Sequence, residues 1–127
     1  MYLRRFYFII LVYVNLKMEY DTKDKTFWKR KGNDMKVLLG AVNAKYIHSN
    51  LAVYCLKAYA EKYGDTSDEI SIGEYTINQQ LDEILRDIYK RKPDMLCLSC
   101  YIWNLTYVEE ICREIKKVMP QIIIWIG

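Results

Sequence analysis

Residues 36–54, KVLLGAVNAKYIHSNLAVY, give the clearest indication of the fold. It begins as a short apolar run, continues as a polar loop from Asn43 to Asn50, and ends in an amphipathic pattern. This pattern is typical of a buried parallel strand whose trailing loop opens a helix. Ligands bind at the carboxyl ends of the strands in such sheets, so this loop is the first candidate for a binding site.

The rest of the chain repeats this layout twice and adds a fourth strand. Residues 69–76 alternate between apolar and polar side chains, which predicts a strand at the edge of the sheet. The other elements are a helix over Leu51 to Tyr63, a helix capped by Asn78 and ended by Pro93, a strand over 94–101, a helix capped by Asn104 and ended by Pro120, and an apolar strand over 121–126. In the first helix, spacing predicts that Leu51, Cys55, Ala58 and Tyr59 form the buried face.

Strands that alternate with crossover helices predict an α/β fold with a doubly wound parallel sheet. With the second strand at an edge, the strand order is 2-1-3-4, the flavodoxin-like (Rossmann-type) arrangement without its last helix, strand and helix. A fourth strand this apolar would be a bare edge prone to self-association. We therefore expect the domain to be truncated after its fourth strand and the chain to be a fragment of a longer protein.

Residues 1–34 differ from the rest. Residues 6–14 are apolar and follow Arg4 and Arg5, but the run is too short to span a bilayer and has no small-residue cleavage site after it. Residues 23–34 are polar and lack periodicity, which is typical of disorder. Met35 then begins the sequence MKVLL, which is typical of the natural start of a protein. We predict that residues 1–34 are a translated leader or disordered segment outside the fold, and that residues 35–127 form the domain; a membrane or targeting role is the alternative.

Charge and cysteine usage limit the class of protein. The net charge is +3, but residues 1–34 hold eight Lys or Arg against four Asp or Glu, and the remainder hold eleven against twelve. The predicted domain therefore has no basic surplus to bind nucleic acid. The four cysteines lie within apolar patterns, which favours reduced thiols and a cytoplasmic protein over a disulfide framework.

The sequence contains none of the catalytic or phosphate-binding motifs that we considered. No phosphate-binding glycine loop and no acidic cluster follow the first strand. Cys97 and Cys100 lie on a predicted strand, where a spacing of three puts them on opposite faces, so we expect core cysteines and not half of a zinc site. His48, the one histidine, is either a hydrogen-bonding loop residue or a ligand of a metal or cofactor.

The loop after the third strand is the second candidate. Residues 99–104, SCYIWN, are rich in hydroxyl and aromatic groups and follow a strand at the same predicted edge. One interpretation is a helix cap with ordinary packing. The other is a flat wall for a ligand, because Tyr and Trp are costly to expose.

Residues 35–127 resemble the N-terminal cobalamin-binding domain of cobalamin-dependent radical SAM enzymes. The segments that carry the resemblance are VNAKYIHSNLA (42–52), EYTINQ (74–79), LSCYIWN (98–104) and IWIG (124–127). The resemblance implies that Ser99 and the backbone at Gly127 approach the nucleotide tail of a cobalamin. The cofactor-binding set that we predict on this basis is Asn43, Tyr46, His48, Ser49, Asn50, Ser99, Tyr101, Trp103, Asn104 and Gly127.

The sequence departs from the wider cobalamin-binding pattern at one point. The motif Asp-x-His-x-x-Gly is not present, since Asn43 and His48 stand five positions apart and no glycine follows. This departure speaks against His48 as a cobalt ligand, although it is the one candidate for metal binding. The Cys-x3-Cys-x2-Cys motif is not present either, so we expect no catalysis from this chain alone. The resemblance places the iron-sulfur cluster and S-adenosylmethionine in a downstream catalytic domain.

The function that follows is a corrinoid-binding module that presents its cofactor to that radical SAM domain, typically for methyl transfer. A flavodoxin-like module that binds another flat ligand or only a protein partner is the main alternative. A small enzyme that uses His48, or an unfolded gene remnant, are the others.

Overall fold

The computed structural model describes residues 18–20, 28–30, 34–45, 50–63 and 68–127. The chain divides into two compact units, Met1–Asp34 and Met35–Gly127. In the first unit, strand β1 (Met18–Tyr20) pairs antiparallel with strand β2 (Trp28–Arg30). Sequence reasoning did not predict this pair of strands. The hypothesis that residues 1–34 are translated leader stays a prediction.

The second unit alternates strands and helices. Its elements are β3 (Lys36–Asn43), α1 (Leu51–Tyr63), β4 (Glu69–Thr76), α2 (Leu81–Arg91), β5 (Met95–Ser99), α3 (Leu105–Val118) and β6 (Ile123–Ile126). The apolar runs form the strands, and helix α2 ends at a left-handed Lys92 directly before Pro93. None of the helices in the described residues is long and apolar enough to cross a membrane.

The four strands of this unit form a parallel sheet in the order β4-β3-β5-β6. This is the predicted order 2-1-3-4, so the predicted flavodoxin-like fold class is confirmed. The register aligns Asn43 with Thr76 and Ala41 with Ser99. The backbone of Gly127 continues the pairing with β5, because its N–H donates to Leu98 O at 3.0 Å and its carbonyl accepts from Cys100 N at 2.8 Å.

The main core lies on the face of the sheet that α2 and α3 cover. Its members are the buried residues Leu38, Val42, Tyr75, Ile84, Ile88, Leu96, Leu98, Val108, Ile111, Ile115 and Ile122. Burial of each such aliphatic side chain contributes about 1.5–3 kcal/mol. Gly40 leaves room for the Leu98 side chain here, because a Cβ at this position would lie 2.7 Å from Leu98 Cδ2.

Helix α1 lies on the other face of the sheet. Its Tyr54 bonds to Glu74 of β4. The residue after Glu74, Tyr75, belongs to the main core. Because successive strand residues point to opposite faces, Glu74 and α1 lie on the face away from that core. Val53 is the buried residue of α1. The predicted buried face is wrong: Leu51 is 74% exposed and Cys55 is also exposed. The helix is apolar on several sides, so spacing alone fitted more than one stripe.

Two predicted helix caps are also wrong. Helix α2 has Gln80 at its N-cap, because a turn over residues 77–79 delays its start beyond Asn78. Asn104 does occupy the N-cap position of α3, but its side chain makes no capping hydrogen bond. By contrast, the side chain of Asn50 does cap α1, since its Oδ1 accepts from Ala52 N at 3.0 Å.

A polar clamp holds α2 against the edge strand β4. The buried Tyr75 hydroxyl donates to Asp87 Oδ2 at 2.7 Å, and Arg91 Nε donates to the same oxygen at 3.0 Å. The Arg91 guanidinium also reaches Ile72 O at 3.1 Å. The clamp therefore joins side chains one turn apart on α2 to both a side chain and the backbone of β4.

Candidate functional site

The carboxyl ends of the four parallel strands meet at one edge of the sheet. Residues 44–50 follow β3, residues 77–80 follow β4, residues 100–104 follow β5, and Gly127 follows β6. The two loops that the sequence analysis singled out therefore begin at neighbouring strand ends, since β3 pairs with β5. This edge is where ligands bind in open parallel sheets.

The carboxylate of Glu74 organises the side of this edge nearest α1. Its Oε1 accepts from Asn50 N at 3.2 Å and from Asn43 Nδ2 at 3.4 Å, and its Oε2 accepts from the Tyr54 hydroxyl at 2.7 Å. This bond to a carboxylate raises the pKa of Tyr54, with smaller effects of desolvation and charge in the same direction. Glu74 therefore joins the end of β3, the start of α1 and β4.

Sequence reasoning did not place Glu74 in the site. It lies at an exposed position of an edge strand, where an acidic residue is ordinary. A signal was present, since Glu74 opens the segment EYTINQ that carries part of the family resemblance.

Asn50 connects the two candidate loops directly. Its Nδ2 donates to Ser99 Oγ at 2.8 Å, while its Oδ1 caps α1. Ser99 is half-buried and ends β5. The structure thus brings together Asn43, Asn50 and Ser99, three of the predicted binding residues. Asn43 and Asn50 bind the Glu74 carboxylate, and Asn50 in turn binds Ser99.

Asn104 supports the loop from inside. It is 1% exposed, and its Nδ2 donates to Val42 O at 3.1 Å and to Ser99 O at 3.2 Å. Its Oδ1 accepts from Tyr101 N at 2.6 Å. These three bonds tie the ends of β3 and β5 to the loop between β5 and α3, so they fix the backbone that carries Ser99 and Tyr101.

The same loop presents an aromatic and apolar surface. The rings of Tyr101 and Trp103 stack with centroids 5.5 Å apart and an angle of 8° between their planes. Trp103 is 50% exposed, and Ile102 beside it is 99% exposed. Large apolar groups held in the open at a strand end are the usual composition of a surface that covers a ligand or a protein partner.

The side-chain oxygen of Thr76, also at this edge, differs from the polar atoms described above because it is buried and unpaired among the described residues. Thr76, the last residue of β4, is 3% exposed, and its Oγ1 has no hydrogen-bond partner among the described residues. Buried hydroxyl groups normally have a partner, because an unpaired one costs free energy. Its backbone N–H does have one, since it donates to Gln79 Oε1 at 2.9 Å.

Several predicted site residues lie outside the described residues: Tyr46, His48 and Ser49. The roles predicted for them, including the cobalt ligation considered for His48, stay predictions. Among the residues that the structure does describe, no three His, Cys, Asp or Glu side chains lie close enough to hold a metal ion. Cys97 is buried in the sheet, and burial raises the pKa of its thiol to about 12.

Residues 35–127, the whole of the second unit, match the family described as B12 binding domain. The chain belongs to this family. No curated protein is similar enough to this B12-binding domain to count as a relative. The match and the order of the four strands agree, because the flavodoxin-like sheet is the fold that the family requires.

The chemistry of the described edge fits the cofactor that the family implies. The corrin ring of cobalamin is flat and rimmed by amide groups, so it calls for uncharged donors and acceptors beside a broad apolar surface. This B12-binding domain has the Ser99 hydroxyl and the Trp103 ring, which is stacked on Tyr101, at this edge. It also has the buried Thr76 Oγ1, which has no hydrogen-bond partner in the part of the chain that the structure describes.

Proposed function

We propose that this B12-binding domain holds a cobalamin at the carboxyl edge of its sheet and presents it to a radical SAM catalytic domain. The observation that carries the proposal is that Ser99, Asn50 and Trp103 gather where β3 and β5 end, within a chain of this family. When bound, the corrinoid supplies a carrier for a methyl group. The protein binds and orients it.

The described residues at this edge would contact the cofactor in two ways, through polar groups and through an apolar surface. Ser99 offers its hydroxyl group to the periphery of the cofactor, and the strand end at Gly127 offers backbone without a side chain in the way. Trp103 forms a flat apolar surface that is held in place by Tyr101. Asn104 and Glu74 act from behind, because they fix the loops that carry these groups.

The partnership with a radical SAM domain is supported by the resemblance of residues 42–52, 74–79 and 98–104 to that group of proteins. It is also supported by Ile102, whose 99% exposure beside the site suits burial against a second domain. Such a domain would hold the iron-sulfur cluster and S-adenosylmethionine, and methyl transfer is the reaction that we propose for the assembly. A cytoplasmic location is part of the proposal, and it is supported by the position of the four cysteines within apolar patterns of the sequence.

A titration with hydroxocobalamin, followed by difference absorbance, tests the binding. We expect a saturable spectral change with the full chain. Trp103→Ala should weaken the affinity about three- to tenfold, because an aromatic contact is worth about 0.5–1.5 kcal/mol. Tyr89→Ala is the matched control: Tyr89 is also 50% exposed, but it lies near the carboxyl end of α2, away from this edge.

The outcomes separate the alternatives. A folded chain that leaves the cobalamin spectrum unchanged would overturn the proposal and favour a module that contacts only protein. Equal affinities for Trp103→Ala and Tyr89→Ala would show that the corrinoid does not bind against Trp103 at the proposed edge. The partnership is tested on the protein that contains this domain, purified from its native source without oxygen. It should show iron-sulfur absorbance and transfer methyl groups from S-adenosylmethionine. A protein that shows neither would contradict the proposed partnership.

A further inference from the structure

The side-chain amide of Asn50 has only one orientation that satisfies its neighbours. Its Oδ1 lies 3.0 Å from Ala52 N, a backbone donor at the start of α1, so an oxygen must face the helix. The amide nitrogen must then face Ser99 Oγ, 2.8 Å away. An amide nitrogen can only donate, and Ser99 Oγ therefore accepts this bond.

This direction decides what Ser99 can do. A serine hydroxyl carries one proton, and a bond accepted from Asn50 leaves that proton free to point elsewhere. The carbonyl oxygen of Ser99 already accepts from Asn104 Nδ2 at 3.2 Å. Among the described residues, no group accepts the proton of the Ser99 hydroxyl.

The backbone of Asn50 is held as firmly as its side chain. Its N–H donates to Glu74 Oε1 at 3.2 Å, and Glu74 also binds the Tyr54 hydroxyl at 2.7 Å. Asn50 is thus fixed by β4 through Glu74, by α1 through its cap, and by β5 through Ser99. A residue held by three elements keeps its donor aimed at one place.

We infer that Asn50 is a positioning residue that commits the Ser99 hydroxyl to donate its proton to an acceptor atom of the bound corrinoid. The inference rests on the proposed function. The ligand atom that it specifies is a neutral nitrogen or an oxygen with a free lone pair. A group that itself needs to donate a hydrogen bond would be disfavoured at Ser99.

Asn50→Asp tests this direction while it preserves the helix cap. Aspartate caps helices as well as asparagine does, so the unfolding midpoint should stay close to that of the wild type. A carboxylate can only accept, and it would take the Ser99 proton for itself. We expect the affinity for hydroxocobalamin to fall about five- to tenfold, the loss of one hydrogen bond.

Asn50→Ala and Gln121→Glu complete the comparison. Asn50→Ala loses both the cap and the bond to Ser99, so it should be less stable, but it should bind more tightly than Asn50→Asp because no carboxylate captures the Ser99 proton. Gln121→Glu makes the same change from amide to carboxylate at an exposed position before β6, at the opposite edge of the sheet. Its affinity should equal that of the wild type, which controls for the added charge. If Asn50 acts only as a cap, Asn50→Asp will instead bind like the wild type.

A double-mutant cycle shows whether Asn50 acts through Ser99. Ser99→Ala should lose about as much affinity as Asn50→Asp, and the double variant should lose no more than either single variant. Losses that multiply in the double variant, or an Asn50→Asp variant that binds normally, would overturn the inference. If the wild type binds no cobalamin, the proposed function fails instead.

Discussion

The amide nitrogen of Asn104 lies 3.1 Å from the carbonyl oxygen of Val42, so a residue at the start of α3 closes the end of β3. The same buried amide also binds the backbone of Ser99 and Tyr101. The loop that carries the candidate binding residues is therefore built around one asparagine side chain. Its orientation is decided by contacts between residues far apart in the sequence.

Replacement of Asn104 by alanine should destabilise the domain. It would leave the buried Val42 carbonyl, the partly buried Ser99 carbonyl and the Tyr101 N–H without this partner, and we expect the free energy of unfolding to fall by about 2–4 kcal/mol. Urea denaturation measures this. Asn78→Ala, at an exposed turn position, is the control and should change stability by less than about 0.5 kcal/mol. Similar effects of the two variants would show that the buried amide matters little.

The clamp between β4 and α2 gives a second stability prediction. Tyr75→Phe removes the hydroxyl that binds Asp87 at 2.7 Å but keeps the buried ring. Because Asp87 is partly exposed and also holds Arg91, we expect a loss of only about 1–2 kcal/mol. Thermal and urea unfolding should agree on this value. A variant as stable as the wild type would mean that water replaces the clamp without cost.

The same tyrosine predicts a dependence on alkaline pH. Burial first, and then the bond to Asp87, raise the pKa of Tyr75 above its ordinary value of 10.0. As pH rises, the unfolded chain loses this proton before the folded chain does. The contribution to stability is therefore complete below about pH 10 and is lost as pH rises toward the folded pKa.

Urea denaturation between about pH 8 and pH 11 measures this dependence. The free energy of unfolding should decrease more steeply above pH 10 in the wild type than in Tyr75→Phe, which has no proton to release at this position. Cys97 affects both proteins alike, because its raised pKa of about 12 is present in each. Parallel curves for the two proteins would contradict the assignment to Tyr75.

The cysteines should differ in reactivity with a thiol reagent. Cys55 is exposed on α1, whereas Cys97 is 7% exposed and its thiol is held neutral by burial. At about pH 8 the folded chain should be modified rapidly at Cys55 and not at Cys97 until denaturant is added. Mass spectrometry of digested protein locates the label, and Cys55→Ser is the control. Rapid modification of Cys97 in the folded chain would place it at the surface.

Strand β6 predicts self-association. It is an edge of the sheet among the described strands, and Ile126 on it is 48% exposed. We propose that chains pair through this edge as their concentration rises. Ile126→Lys should shift the sedimentation profile toward the monomer, whereas Val118→Lys, a similar change on α3, should not. A wild type that stays monomeric at high concentration would refute the proposal.

The fold was predictable because each apolar run and each crossover helix is encoded locally. The position of β4 at an edge followed from its alternation, and the sheet order followed from that. The rotation of α1 was not predictable, because it depends on Val53, Asn50 and Tyr54 meeting groups on other strands. The role of Asn104 was missed for the same reason: asparagine before a helix usually caps it, but here distant carbonyl groups compete for the side chain.

In the candidate site, residue types and strand ends could be predicted, but their connections could not. Asn50 and Ser99 were each predicted as polar residues of the candidate site, Asn50 in the loop after β3 and Ser99 at the end of β5. Their hydrogen bond, and the carboxylate of Glu74 behind it, appear only when three strands are placed in register.

Retention of a corrinoid by this chain can be measured directly. The full chain, mixed with hydroxocobalamin and passed through a size-exclusion column, should elute with about one corrinoid per chain, and Ser99→Ala should elute with clearly less. Wild-type protein that is folded by circular dichroism yet elutes without cobalamin would contradict the central claim.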